Sequence, residues 1–475
     1  MATRKDQLQS HRFLGQRMVS ALVTRESDPE QPPFRRPLAS AIGGAIIAVL
    51  ALAVVTVYGL VVPGGNKAWQ SGDAVIVEKE TGTRYVYLDG RLHPVTNYVS
   101  ALLALGKKAT TRQVSQRSLR GVPRGPRIGI PDAPDALAPS NRLLTGAWTL
   151  CSQPVVSSSG ERTSESVLMV GAQPAVSQPL DTYALLAEVI ETGDQYLIMN
   201  GRRHRIDKAD AVTVGLALET EPWARVGAAF IAALPDGQPI APIKPAGIGA
   251  PSTAIPARRS TKIGQLFVVQ TSGGGRQYYL AAKNRLLPIS ELQSDIQKAY
   301  KPMSAAYGGK APAAIEISVL EVSQSEPVPD ETAEGRMPRS RPKFAAPSDG
   351  ITSTVCATFP PNERTPSVSI DAQLPPRDAV MMTPKRGPQG TALADRVIVT
   401  PGSAAVVEAM PSTRAPAGTV VLITDMGRAY PLVKPDLLDW LGYAGTTPVR
   451  FPAGLISRIP QGQGLNPDTA TRPVA

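Results

Sequence analysis

Histidine, cysteine and clustered carboxylates are where metal-assisted, nucleophilic or acid–base chemistry would begin, and this chain of 475 residues holds only three His and two Cys. His11 lies in a basic N-terminal arm. His93 and His204 each stand one residue before an equivalent landmark, Pro94 and Arg205, of a repeated hairpin. A metal centre needs several ligands converging at fixed distances. Matching places in two repeats point instead to a shared structural duty on a strand. The sequence contains no HExxH, no CxxC and no Cys–His spacing suited to a thiolate nucleophile. The nearest approaches to a phosphate-cradling loop are Gly64-Gly65-Asn66-Lys67 and Gly273-Gly274-Gly275-Arg276, and neither sets Lys and Ser/Thr between a strand and a helix start. Asp181, Glu188, Glu191 and Asp194 cluster closely enough to suggest the paired acids of a glycosidase, but acids beside Tyr and Thr read as a solvated face. Catalytic, cofactor and metal residues are therefore assigned as none.

The elements that would position any site are set by a solvent boundary. Leu38 to Val62 run for 25 positions without an ionisable side chain, long enough at about 1.5 Å of helical rise per residue to cross a hydrocarbon layer. A signal peptide has a shorter apolar core and a small-residue cleavage site, whereas here the run meets Pro63, Gly64 and Gly65. Seven Lys or Arg precede the run, with Arg35 and Arg36 at its edge, and the first cation after it is Lys67. The charge asymmetry predicts a cytoplasmic N-terminus and an exported remainder. Ser40, Gly44 and Ala48 make a small-residue stripe on the span, and Leu14, Met18 and Leu22 make an apolar face on the arm, suited to a partner protein or the inner leaflet. The net charge of +11 belongs to this arm and a mildly basic body, because no cationic run is interleaved with stacking aromatics as nucleic-acid binding would require.

The exported part repeats a unit of strand, tight turn, exit strand and helix. Copy one runs Arg84 to Val95 with Asp89-Gly90 as turn, followed by a helical run from Thr96 to Leu105. Copy two runs Gln195 to Ile206 with Asn200-Gly201. Copy three runs Gln277 to Pro288 and continues into Ser290 and Gln293 at capping-box spacing, and copy four spans Val420 to Trp440. The turn landmarks Gly90, Gly201, Asn284 and Gly427 stand four residues before Pro94, Arg205, Pro288 and Pro431. Pro123-Arg124-Gly125, Pro235-Asp236-Gly237 and Pro460-Gln461-Gly462 follow 29, 30 and 29 residues after Pro94, Arg205 and Pro431. Copy three lacks that ending and reads as truncated. Such units cannot bury their apolar faces alone.

Cys151 and Cys356 each end a strand-like run on the side where thiols are oxidised, so a disulfide is expected, two separate buried thiols being the alternative. The pair suggests a discontinuous central domain containing strands such as Ser166–Val170 and Ile315–Leu320. The resulting division is a cytoplasmic arm at 1–37, a transmembrane helix at 38–62, repeat one at 63–138, the first central part at 139–180, repeat two at 181–245, repeat three at 258–311, the second central part at 312–400, repeat four at 401–462 and a flexible tail at 463–475. Proline-rich stretches at 239–256, 326–347 and 375–390 read as mobile linkers.

Several of these residues carry a family resemblance. The opening Arg4-Lys5-Asp6-Gln7-Leu8-Gln9-Ser10-His11-Arg12-Phe13-Leu14, the single span, Thr81 to Gly90 running into Leu92-His93-Pro94-Val95-Thr96-Asn97, and Trp148 shortly before Cys151 resemble EccB, a membrane component of actinobacterial type VII (ESX) secretion systems. The resemblance implies a bitopic inner-membrane protein whose periplasmic α+β region is an elongated, propeller-like set of four quasi-repeats about a β-rich, disulfide-bearing centre. It implies self-association, partnership with EccC, EccD and EccE, contact with exported protein substrates, and ATP hydrolysis supplied by EccC. An ATPase role for the chain itself, with ATP as cofactor, and a wall-binding module are the alternatives. The degenerate third repeat and Arg205 in place of proline are departures from the repeat pattern.

Overall fold

A computed structural model describes residues 3–23, 25, 35–61, 67–157, 159–207, 210–271, 273–326, 336–349, 352–363, 365–376, 382–412 and 415–474. The arm is a helix, Arg4–Val23, with Leu8, Leu14, Met18 and Leu22 exposed. A second helix, Arg35–Val61, is long and apolar enough over Ala39–Tyr58 to cross a membrane. Pro63, Gly64 and Gly65, where the sequence reading ends the span, lie outside the described residues.

Beyond Lys67 stand four open four-stranded sheets with one strand order, in which two antiparallel hairpin steps are followed by a fourth strand parallel to the first. In the first unit Ala74–Glu78 pairs with Arg84–Leu88, then Arg91–Pro94, and Thr110–Val114 returns on the other side of Ala74–Glu78. The second uses Leu185–Val189, Gln195–Met199, Arg202–Arg205 and Trp223–Val226. The third uses Leu266–Gln270, Arg276–Ala281, Leu286–Ile289 and Ala314–Glu316, and the fourth Ala404–Met410, Thr419–Thr424, Ala429–Pro431 and Val449–Pro452. Asp89 and Gly90, like Asn200 and Gly201, both take positive φ, the backbone that a two-residue hairpin turn matching strand twist requires. Asn284 makes its turn without a positive φ, bracketed by the Ala282 N–H bond to the Arg285 carbonyl at 2.9 Å.

A helix bridges the exit strand to the parallel strand in each unit. Tyr98–Leu105 is capped by the Asn97 side chain, which accepts from the Ser100 N–H at 2.9 Å, and buries Val99, Leu102 and Leu103. Ser290 accepts from the Gln293 N–H at 3.0 Å, yet the Gln293 amide turns to the Ala241 carbonyl, so the reciprocal half of the expected box is missing.

Between the units lies a six-stranded sheet, in spatial order Arg396–Ile398, Arg162–Met169, Trp148–Val156, Val355–Phe359, Ser367–Ile370 and Gln178–Pro179. Its apolar face shares one core with the second and fourth units, including Trp148, Phe230, Phe359 and Phe451. Unit one joins unit four through a core containing Val99, Leu102, Leu422 and Leu438, and unit three joins unit two through Val212, Leu216, Leu292 and Ile296. At that second junction a Cβ on Gly215 would stand 2.9 Å from the Ile296 Cα, so the helices approach as closely as glycine permits. The order in space is therefore one, four, centre, two, three: the central sheet is flanked by two and four, although two and three are the copies enclosed by the cysteines in sequence.

Three expectations are corrected. Residues 314–323, read as the opening of the second central part, complete unit three: Ala314–Glu316 pairs with its first strand, and Val319–Ser323 is a short helix with a full Ser318/Glu321 capping box. The apolar run there was too short to reveal which sheet it joins. The tail at 463–475 is packed, not flexible. Leu465 and Ala470 are fully buried, the Pro467–Ala470 helix docks on Tyr98–Leu105, Leu465 bridges to Leu432, and the Gly129 and Val474 N–H groups bond to the Arg472 and Arg127 carbonyls. The proline-rich stretch 239–256 likewise lies against the body, burying Ile240, Ala254 and Ile255.

Candidate functional site

The chemistry-bearing residues resolve into structural pairs around the central sheet. Cys151 and Cys356 face each other in register on adjacent antiparallel strands, with Cα atoms 4.0 Å apart, and form a disulfide. One sheet-strand away Glu165 and Arg396, 4 % and 2 % exposed, meet with Nε 2.7 Å from Oε1. That contact is ionic, without the alignment of a hydrogen bond. The Arg396 Nη1 donates to the carbonyls of Pro375 and Pro376 at 3.4 and 3.1 Å. Beside it the Asp395 carboxylate accepts the Ser166 N–H at 2.7 Å, and burial pushes its carboxyl up. A cavity of about 620 Å³ opens beside the pair, lined by Gln153, Gln373 and Leu374 among others. Sequence reading missed this centre, because Glu165 stands between Ser164 and Ser166 in a half-polar strand and nothing local marks it as buried.

The histidines follow the structural reading. Nδ1 of His93 lies 3.2 Å from the Pro126 carbonyl, and Nδ1 of His204 lies 2.9 Å from that of Gln238; burial lowers the His204 pKa. Their rings explain the Pro-X-Gly landmarks. A Cβ on Gly125, Gly237 or Gly462 would fall 2.2, 2.3 and 2.2 Å from atoms of the His93, His204 and Tyr430 rings. Each glycine thus lets its segment run flat against the exit strand and add a parallel edge: Leu92 and Gly125, Arg203 and Gly237, and Ala429 and Gly462 exchange backbone bonds of 2.8–3.0 Å with that strand or its landmark. Pro94, Pro288 and Pro431 lie at or next to the end of the exit strand, opposite Tyr85, Tyr279 and Val421, and Arg205 sits at the equivalent place opposite Tyr196. Proline is tolerated there because its nitrogen points away from the hairpin partner, so no donor of the antiparallel ladder is lost.

The four carboxylates do not converge as an acid pair. Glu191 accepts from Ser164 Oγ at 2.7 Å and from the Ala228 N–H at 3.0 Å, Glu188 faces Arg225 at 3.5 Å, Asp194 faces Arg205 at 3.4 Å, and Asp181 is a left-handed turn residue. Gly273 to Arg276 is the hairpin between two strands of unit three, with Gly274 at φ +80°. Among the described residues no three His, Cys, Asp or Glu group closely enough to hold a metal ion.

The sequence model of the family described as "Type VII secretion system ESX-1, transport TM domain B", T7SS_ESX1_EccB, matches residues 1–473. The chain belongs to the EccB family. Among EccB relatives, "ESX-2 secretion system ATPase EccB2" of Mycobacterium tuberculosis is 29 % identical over 324 residues, 66 % of this chain, and the match spans only 62 % of that relative's length. "ESX-3 secretion system ATPase EccB3" of Mycolicibacterium smegmatis is 26 % identical over 485 residues, covering 97 % of this chain and 89 % of the relative. In fold the chain is similar to the solved "EccB3 dimer from the ESX-3 core complex", at TM-score 0.57 and 24 % identity over 85 % of this chain and all of that one. A chain of "an intact ESX-5 inner membrane complex" gives TM-score 0.57 and 22 % identity over 100 % and 96 %. The EccB resemblance carried by Arg4 to Leu14 and Thr81 to Asn97 thus extends over the whole chain, and the mixed α+β body is the EccB fold.

Proposed function

We propose that this EccB-family chain is a non-catalytic structural subunit of a type VII (ESX) membrane complex, inserted once into the inner membrane with its arm in the cytoplasm and its four units in the periplasm. It associates with further copies of itself and with EccC-, EccD- and EccE-type subunits, and its elongated, propeller-like body forms part of the path taken by exported proteins. EccC supplies the energy. One observation carries the reading: a single family match runs through arm, apolar helix and body, and within that body the buried Glu165–Arg396 pair and the three ring-bearing landmarks are engaged in holding sheets together. Affinity purification of the full chain from native membranes in mild detergent tests it. Recovery with the other membrane subunits is expected, and recovery alone refutes it. An enzymatic reading is favoured by the word ATPase in the printed names of its relatives. It predicts ATP turnover by the purified full chain that persists after removal of every EccC-type protein.

A further inference from the structure

The first unit is an electrostatic outlier. From Gly90 to Pro131 the chain carries Arg91, Lys107, Lys108, Arg112, Arg117, Arg120, Arg124 and Arg127 and not one Asp or Glu. Much of this charge gathers where the chain arrives from the apolar helix. Only Val62 to Asn66 separate Val61, the end of that helix, from Lys67, and six residue steps reach at most about 22 Å. The short Ala68–Ser71 turn that follows is clamped into the unit: Trp69 is buried and donates from Nε1 to Ser118 Oγ at 3.2 Å, and Arg112 donates from Nη1 to the Ala68 carbonyl at 2.9 Å. Around that entry point Lys67, Lys107, Lys108, Arg112, Arg117 and Arg120 are exposed. Two carboxylates lie among them: Asp73, ion-paired with Lys107, and Glu80, which accepts the Gln116 N–H at 2.8 Å. Four positive charges remain in excess on the face nearest the helix end.

We propose that this face of unit one rests on the bilayer that the Arg35–Val61 helix spans, its Lys and Arg side chains holding the phosphate groups of anionic phospholipids. The inference rests on the single-pass reading of that helix. The tether is too short to carry unit one far from the surface, so the entropic cost of approach is small, and each cation near an anionic surface favours contact roughly fivefold. Docking fixes the tilt of the body on its anchor.

The test uses the full chain in nanodiscs of neutral phosphatidylcholine or of phosphatidylcholine with phosphatidylglycerol, the native disulfide intact. An NBD fluorophore on Thr110→Cys reports quenching by lipids spin-labelled in the headgroup. Stronger quenching in the anionic disc is expected, lost in 1 M salt, where the screening length falls to about 3 Å. Lys108→Glu, Arg117→Glu and Arg120→Glu together lower the docked-to-undocked ratio on the order of 100-fold or more. Quenching that is equal in the two discs, or unchanged by the triple variant, overturns the proposal. A second label, Ala48→Cys, with a quencher in the acyl chains separates the two readings. Quenching there in both discs upholds the span whatever unit one does, and its absence removes the span itself.

Discussion

Gly237→Ala is the sharpest probe of how a unit is closed. The added Cβ would stand 2.3, 2.5 and 2.8 Å from Cε1, Nδ1 and Nε2 of His204, against the 3.4 Å or more of an ordinary contact. The ring therefore has to retreat by more than 1 Å. It has nowhere to go, because His204 is 3 % exposed and its Nδ1 is held 2.9 Å from the Gln238 carbonyl. Overpacking of a fixed site costs about 1–3 kcal/mol. The strain falls first on the parallel edge bonds, Arg203 N–H to the Pro235 carbonyl at 3.0 Å and Gly237 N–H to the Arg203 carbonyl at 2.8 Å. Hydrogen exchange of peptides covering 200–240 in the full chain should accelerate by roughly 5- to 150-fold, the factor equivalent to that cost. Gly125→Ala makes the same collision, at 2.2 Å, with a His93 ring that is only half-buried and can swing aside, so its effect should be clearly smaller. Combining Gly237→Ala with His204→Ala should recover at least about 1 kcal/mol relative to the sum of the single changes. Equal exchange in Gly237→Ala and Gly125→Ala, or additivity in the double variant, refutes the ring-and-glycine account.

Further outcomes follow from other contacts. Leu465→Ala, at a fully buried side chain of the C-terminal segment, should cost about 2–5 kcal/mol and speed proteolysis near residues 127–134, read by mass spectrometry of the digest. Replacing Cys151 and Cys356 together by Ala removes a crosslink between residues 205 apart in sequence, worth about 5 kcal/mol in the chain-entropy model, and should lower the urea midpoint of the body. The Glu321 carboxyl is held at about 2 by the Ser318 N–H, by Arg258 at 2.5 Å and by the Ser318 hydroxyl. With the folded value depressed, its support of the Val319–Ser323 helix is complete above the ordinary glutamate range and disappears as pH falls through about 2. A carboxyl NMR titration with its midpoint in the ordinary glutamate range would contradict that network.

The local grammar of the fold was legible because glycine and proline report backbone geometry directly. Asp89-Gly90 and Asn200-Gly201 announced turns that need positive φ, and the fixed spacing from turn to Pro94, Pro288 and Pro431 marked the repeated unit before any sheet was known. What lay beyond reach was tertiary. Nothing in Ala314-Ile315-Glu316 distinguishes a strand of unit three from one of the central sheet, since three apolar or mixed residues satisfy either. The tail was misread for its composition: Gly462, Gly464, Pro467 and Pro473 resemble a linker, while the single large anchor Leu465 that pins it carries no pattern of its own. The Cys151–Cys356 pairing was expected from compartment and count, but their placement directly opposite each other needed the sheet. The Glu165–Arg396 pair spans 231 positions of sequence, too far for any periodicity to connect.

The closing segment has a consequence for how the chain is made. Unit one is synthesised well before Pro467–Ala470, yet that segment fills the groove beside its Tyr98–Leu105 helix. Until Pro467–Ala470 has been made and delivered, that groove lies bare, and the newborn unit one must wait in an unfinished state through some three hundred and thirty intervening residues. Maturation of unit one is thereby gated on the arrival of that distant helix: a polypeptide broken off before it presents an open seam in its first unit, a mark by which quality-control proteases can tell it from a chain that carries the segment.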